Sequence, residues 1–141
     1  MSEVQIIFLV EPSTDQLRAI VGLYRQAGWW PEAEVEDYQR LTRLVKQSHC
    51  FAAAIVDGEL IGMGRAISDG VSDAYVQDVT VDLFWRGQGI GSRIVRRIVE
   101  RLKQDGLGWI GLIAERGSSP FYEQFGFMEM VNSQPMLLTL S

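Results

Sequence analysis

Val4–Val10 (VQIIFLV) is an apolar run of strand length, closed by Pro12-Ser13-Thr14. Ser13 and Gln16 have the spacing of a capping box, and Leu17, Ile20, Val21 and Tyr24 recur at helical spacing. A first helix is therefore expected to about Ala27, ended by Gly28. Beyond the bulky Trp29-Trp30-Pro31 loop, a second helix is expected from Glu34 to Gln47, with Val35, Tyr38, Leu41, Leu44 and Val45 on one face. Phe51–Val56 and Glu59–Ile67 read as strands joined by Asp57-Gly58. That pair favours a two-residue hairpin turn, because both central residues need positive φ. A polar loop, Ser68–Asp73, leads to the β-rich Ala74–Val81. Arg86–Gly91 follows, then a helix to Gln104 whose apolar stripe is Ile90, Ile94, Val95, Ile98, Val99 and Leu102. Asp105-Gly106 breaks that helix. Trp109–Ala114 is a further strand, Ser118–Gln124 a short helix stopped by Gly126, and Phe127–Val131 and Pro135–Leu140 two last strands.

The expected order is β-α-α-β-β-β-α-β-α-β-β, a mixed α/β sheet protein with a hairpin-rich first half. At 141 residues the chain reads as one domain, 1–141, long enough to bury roughly two-thirds of its unfolded surface. It has no internal repeat or low-complexity tract. No apolar segment has the length of a membrane span, and Met1-Ser2-Glu3 is not the basic start of a signal peptide, so a cytoplasmic location is expected.

Charge changes the picture in one place. Thirteen Lys and Arg against eighteen Asp and Glu leave a net charge of −5, which argues against a general grip on nucleic acid. The balance is uneven. Residues 1–80 carry 12 acids and 6 bases, whereas residues 86–103 carry six bases and one acid. Such a local basic patch suggests a small anionic ligand, but on charge alone a solvated helix face is the favoured reading. Cys50 and His49 are the only cysteine and histidine, too few for a zinc site, and no metal is expected.

Arg86-Gly87-Gln88-Gly89-Ile90-Gly91 lies between a strand and a helix. Its glycines permit a tight turn and close approach to the backbone, and the first helix amides are unpaired at the positive end of the dipole, a ready phosphate site. It is not a P-loop, because Ser92-Arg93 stands where Gly-Lys-Ser/Thr is needed. Nor is it a dinucleotide loop, because Ser92 occupies the sixth place and no acid follows at the end of a second parallel strand.

Arg86-x-x-Gly89-x-Gly91 after the strand Tyr75–Val81 resembles the acetyl-CoA loop of the GNAT acetyltransferase superfamily, whose pattern is Arg/Gln-x-x-Gly-x-Gly/Ala. Downstream, Phe121-Tyr122-Glu123-Gln124-Phe125-Gly126-Phe127 resembles that family's Phe-Tyr-x-x-x-Gly-Phe segment. The element order also matches. The resemblance is strongest over residues 74–127 and weak over residues 1–50.

The resemblance implies acetyl-CoA as co-substrate. Gly87, Gly89 and Gly91 would let the pyrophosphate approach the amides from Gln88 through Ile90 to Ser92. The arginines Arg86, Arg93, Arg96 and Arg97 become candidates for its phosphates. Val79, Thr80 and Val81 would lie along the pantetheine arm, with the Val79 amide placed to polarise the acetyl carbonyl. Tyr122 matches the general acid that protonates the departing thiolate; the alternative is a packing aromatic. Asp78 and Asp73 are the candidate general bases. Glu115 stands where many members carry Asn, which puts its role in doubt. Tyr24, Trp29, Trp30 and Tyr38 are candidate acceptor contacts. The acids Glu32, Glu34, Glu36 and Asp37 suit a cationic amine or simply a helix start. The expected activity is transfer of an acetyl group to a small-molecule primary amine by direct attack in a ternary complex, since no Cys or Ser nucleophile sits on a motif. A catalytically silent acyl-CoA-binding module and a protein or peptide N-acetyltransferase are the alternatives. Neither nucleic acid nor membrane is expected as a partner, and a homodimer is left open.

Overall fold

The Asp57-Gly58 turn shows how closely the local chemistry is obeyed. In the computed structural model, which describes residues 3–30 and 37–140, Asp57 has φ 49° and Gly58 φ 80°. They join β2 (Cys50–Val56) to β3 (Glu59–Ser68) in an antiparallel pair, as a hairpin with both turn residues left-handed requires. β1 (Gln5–Phe8) flanks β2, and β4 (Asp73–Val81) flanks β3, both antiparallel; β5 (Trp109–Gly111) then pairs with β4 in parallel. The order is β1-β2-β3-β4-β5, a mixed sheet within the expected α/β class.

The chain divides into two compact units, Met1–Gly111 and Leu112–Ser141. Among its described residues the first holds the sheet and the α-helices α1 (Thr14–Gln26), α2 (Tyr38–Gln47) and α3 (Ile90–Gln104). Ser13 caps α1 with both bonds of the expected capping box, its hydroxyl accepting from the Gln16 amide and its amide donating to the Gln16 side chain. Asp37 caps α2 by accepting from the Arg40 amide. The expected helical start at Glu34 lies outside the described residues.

Alternation along β2 and β3 sorts the core. Phe51 and Met63 face a cluster containing Leu17, Ile20, Tyr24, Leu41 and Val45, which belongs to α1 and α2. The positions between them, Ala52, Ala54, Gly62 and Gly64, are small and turn to the other face. There Ile94 and Ile98 of α3 come so close that a Cβ built on Gly64 would lie 2.9 Å from Ile94 Cγ2 and 3.1 Å from Ile98 Cδ1. The glycines are the condition for α3 to lie this close to the sheet.

The arginines of α3 serve a purpose not expected from their charge. Arg93 donates to the carbonyl of Val4, just before edge strand β1, at 2.7 Å, and Arg97 to that of Ile6, on β1, at 3.0 Å. Four helical residues rise about 6 Å and two strand residues about 6.7 Å, so the two ladders match. Arg97 and Arg101 also lie over the Phe8 ring, each 5.1 Å from its centroid. Arg101 further pairs with Asp105, whose carboxyl is held below its usual range by His49 and then Arg101. Cys50 is buried, and its thiol is pushed up to about 11 by desolvation, so it is no nucleophile.

The second unit contains α4 (Ser119–Glu123), where Phe121 packs edge-on against Tyr122 and Phe125, and Tyr122 against Phe127. The expected strands Phe127–Val131 and Pro135–Leu140 are absent, and β5 ends at Gly111 rather than Ala114. A strand exists only through a hydrogen-bonded neighbour, and apolar alternation alone does not provide one. Met128, Val131, Met136, Leu137, Leu138 and Leu140 are 83–90% exposed, so the alternation has no buried face to define.

Gly64→Ala is expected to destabilise the fold by about 1–3 kcal/mol through overpacking against Ile94 and Ile98. Urea denaturation measures it; an unchanged midpoint would mean that α3 can move away freely.

Candidate active site

The site is organised by an irregularity in β4. Arg65 pairs with Gln77 and Met63 with Thr80, so Gly64 alone stands opposite two residues, Asp78 and Val79. This is a β-bulge, and Asp78 takes φ 59°, a left-handed conformation that Asp tolerates better than most residues. On the other edge, β5 pairs with β4 only at Asp73, Ala74 and Tyr75. From Val76 onward, through Val79, Thr80 and Val81, β4 has no strand neighbour on that side among the described residues. Its outward amides and carbonyls make no strand ladder there, and the Val81 carbonyl is taken by Arg86.

Side chains from three other elements converge on the bulge. Asp78 Oδ2 accepts from the Tyr24 hydroxyl at 2.6 Å and from Arg65 Nε at 2.7 Å. Arg65 Nη1 also reaches Ser48 Oγ at 3.4 Å, at the end of α2. Tyr24 is 1% exposed, and its phenol is held far above the usual range by burial and then by the Asp78 charge, so it stays a donor. Trp30 stacks on the Tyr24 ring at 4.0 Å with 8° between planes, and Trp29 meets it edge-on at 6.1 Å.

Beyond β4, the chain passes into the glycine loop. Asp82 caps a short 3-10 turn, Leu83–Trp85, by accepting from the Phe84 amide. Gln26, the last residue of α1, clamps this turn with both ends of its amide, donating to Asp82 Oδ2 and accepting from the Leu83 amide. Arg86 Nε donates to the Val81 carbonyl at 2.8 Å, folding the loop back on its strand. Gly87 and Gly89 both have φ 79° and open space around them. Gly89 is the N-cap of α3 with no side-chain cap bond, so the amides at the start of that helix face an exposed loop.

The expected site residues thus fall into groups. Val79, Thr80, Val81, Arg86, Gly87, Gln88, Gly89, Gly91 and Ser92 form one continuous path along β4 and the loop. Ile90 offers only its backbone, since its side chain is buried. Asp78 sits at the bulge. Asp73 starts β4, about 15–20 Å away at strand spacing, and cannot serve a reaction at Val79. Tyr24 is corrected from acceptor contact to buried support, because its ring has almost no surface to offer. Trp29, Trp30 and Tyr38 are half-buried against the α1–α2 cluster. Glu32, Glu34 and Glu36 lie outside the described residues. Arg93 and Arg97 are corrected from phosphate candidates to ties between α3 and β1. Tyr122 lies on α4 of the second unit, its phenol raised by burial and then by Glu115. Arg65 and Gln26 escaped the sequence reading, since nothing local marks a residue whose partner is on another element.

A central strand that parts from its parallel neighbour and then enters an uncapped helix through a glycine loop is the arrangement that sets this site apart. The profile of the acetyltransferase (GNAT) family matches residues 14–127, across both units, and the chain belongs to that family. It is 42% identical over 69 residues to GCN5-related N-acetyltransferase 2, chloroplastic, of Arabidopsis thaliana, covering 49% of this chain and 27% of that protein. It is 40% identical over 68 residues to histone acetyltransferase TAP1 of Glycine max, covering 48% of this chain and 29% of that one. The chain therefore spans under a third of the length of these relatives. A probable acetyltransferase from meticillin-resistant Staphylococcus aureus has the same fold, with a TM-score of 0.80 at 23% identity over 98% of this chain and 100% of that one.

Arg97→Gln is expected to cost about 0.5–1.5 kcal/mol of stability while leaving CoA affinity within two-fold. Denaturation and calorimetry check the two halves separately; a large loss of CoA affinity would restore Arg97 to the phosphate site.

Proposed function

We propose that this chain transfers an acetyl group from acetyl-CoA to a primary amine, by direct attack of the amine on the thioester. The observation that carries this reading is the unpaired edge of β4 running from the bulge into the uncapped start of α3. The pantetheine arm would pair with that edge as an added strand, and the pyrophosphate would sit on the amides between Gln88 and Ser92. The Val79 amide would donate a hydrogen bond to the acetyl oxygen as negative charge develops on it.

In the transfer, the amine nitrogen bonds to the acetyl carbon, the carbon–sulfur bond breaks, and CoA leaves as a thiolate. Tyr122 protonates that thiolate. This role rests on the Phe121–Phe127 motif and on a phenol that burial keeps protonated. Water takes the amine proton: Asp73 is at the wrong end of β4, and one oxygen of Asp78 already serves two donors. Neither His49 nor Cys50 enters the chemistry, since His49 is tied to Asp105 and Cys50 is a buried thiol.

A small-molecule amine is the favoured acceptor, with the half-buried Trp29 and Trp30 as candidate walls for its apolar part. The histone acetyltransferase name of one relative favours a second reading, a lysine side chain in a protein.

Thiol release from acetyl-CoA against aliphatic, aromatic and polyamine acceptors and lysine peptides tests both readings. Turnover with free amines supports the first, and turnover with peptides alone supports the second. No turnover, with acetyl-CoA still raising the melting temperature, would make the chain a binding module. Tyr122→Phe should lower kcat by about 10²-fold or more with acetyl-CoA affinity kept. The sign of the pH effect follows from the raised phenol. The proton needed on Tyr122 persists above the free-tyrosine value of about 10, so the alkaline fall in wild-type rate lies above that value and disappears in Tyr122→Phe.

A further inference from the structure

Asp78 is the one non-glycine residue of the sheet interior with a left-handed backbone, and it immediately precedes the amide assigned to the acetyl oxygen. A carboxylate side chain in that conformation can relax to the extended form of a regular strand unless something holds it. Relaxation would turn the following peptide and with it the Val79 N–H.

We propose that Arg65 is a positioning residue for acetyl transfer: by gripping Asp78 across the β3–β4 ladder it holds the bulge, and through the bulge the direction of the Val79 amide. The inference rests on the acetyl-transfer reading above. Four observations on the page support it. Arg65 is adjacent to Gly64, the residue that the bulge opposes, so its side chain leaves β3 at the level of the irregularity. Its Nε is 2.7 Å from Asp78 Oδ2, with the two side chains only 15% and 21% exposed, so the pair is shielded from competing water. The guanidinium is itself fixed by Ser48, whose hydroxyl donates to the Leu44 carbonyl at the end of α2. Finally, the opposite face of the bulge is closed, because the space beside Gly64 is filled by Ile94, Ile98 and the Val79 side chain. Val79 is therefore packed from one side, and Asp78 is held from the other.

Tyr24 is the second holder, through a neutral hydroxyl. Arg65 supplies the charge. With Arg65 gone, Asp78 would keep one neutral donor and would be a half-buried carboxylate drawn toward water. The carboxylate would pull the backbone with it.

The test uses the full chain with Arg65→Gln, Arg65→Lys and Tyr24→Phe. For Arg65→Gln, kcat with the best acceptor of the amine panel should fall about 10- to 100-fold, less than the 10²–10³-fold cost of removing an oxyanion donor outright. KM for acetyl-CoA and the Kd of CoA should stay within two-fold. Arg65→Lys, which keeps a charge near Asp78, should recover part of kcat. In ¹H–¹⁵N spectra, the Val79 amide should shift in Arg65→Gln, with resonances of α3 beyond Val95 in place. The proposal is overturned if kcat is unchanged, or if kcat, CoA binding and melting temperature all fall in step, which is the mark of a merely structural role. Should Arg65→Gln not fold, Arg65→Lys and Tyr24→Phe carry the same comparison. If wild type binds CoA but turns over no amine, the acetyl-transfer reading fails on its own. The Val79 amide then decides the coupling: a shift in Arg65→Gln supports it, and an unmoved resonance overturns it.

Discussion

The close approach of α3 to the sheet, over Gly62 and Gly64, is the constraint on which the rest depends. A helix packed that near leaves no space for large side chains on the strands beneath it, so Ala52, Ala54, Gly62 and Gly64 take the face turned to it. It also brings the Val79 side chain into contact with the empty side of Gly64. A strand with two residues opposite one glycine has somewhere to put the extra residue, and the bulge forms there rather than elsewhere along β4. The position of the candidate acyl site is thus a consequence of core packing, before any catalytic side chain is considered.

The same helix determines where unpaired amides are presented. Its axis is fixed along its length by Ile94 and Ile98 on the sheet and by Arg93 and Arg97 on the edge of β1. Its first turn is left to the glycine loop, which is anchored at both ends of its approach by Arg86 on Val81 and Gln26 on Asp82 and Leu83. A loop held by its flanks, with positive φ at Gly87 and Gly89, keeps its amides pointed outward without spending side chains on them. Preorganised amides cost little ordering when a phosphate arrives. Arg93, Arg97 and Arg101 hold the helix to β1 and to Asp105, and the amides of its N-terminus are left as the candidate anion site.

What was legible in the sequence was what depends on near neighbours in the chain. The Ser13–Gln16 box, the Asp57-Gly58 turn, the stripe of α3 and the glycine loop are each set within a few residues, and all four are present. The misreadings share the opposite property. Arg93 and Arg97 look like an anion patch until the carbonyls of Val4 and Ile6 are seen, 89 and 91 positions away. Tyr24 looks like an acceptor contact until its bond to Asp78, 54 positions away, is seen. Phe127–Leu140 has strand patterning, but pairing is a property of two segments, and one segment's alternation cannot supply it. Among the candidate site residues, the position and conformation of the glycine loop were therefore readable and the support beneath the bulge was not.

That support also ties a candidate acceptor wall to the bulge. Trp30 lies flat on Tyr24, Tyr24 donates to Asp78, and Asp78 is peptide-bonded to Val79. A candidate acceptor wall and the candidate oxyanion donor are thus three contacts apart, and none of the three is a surface interaction that solvent can readily replace. The hydroxyl in the middle is a phenol that burial holds in its protonated, donating form. Arg65 adds the charge that makes Asp78 worth burying at all; a carboxylate holding only a phenol at this depth would sooner turn to water. The bulge is consequently held by a neutral donor from α1 and a charged donor from β3. The neutral donor carries the connection to the tryptophans, and the charged one fixes the strained backbone against which that connection acts.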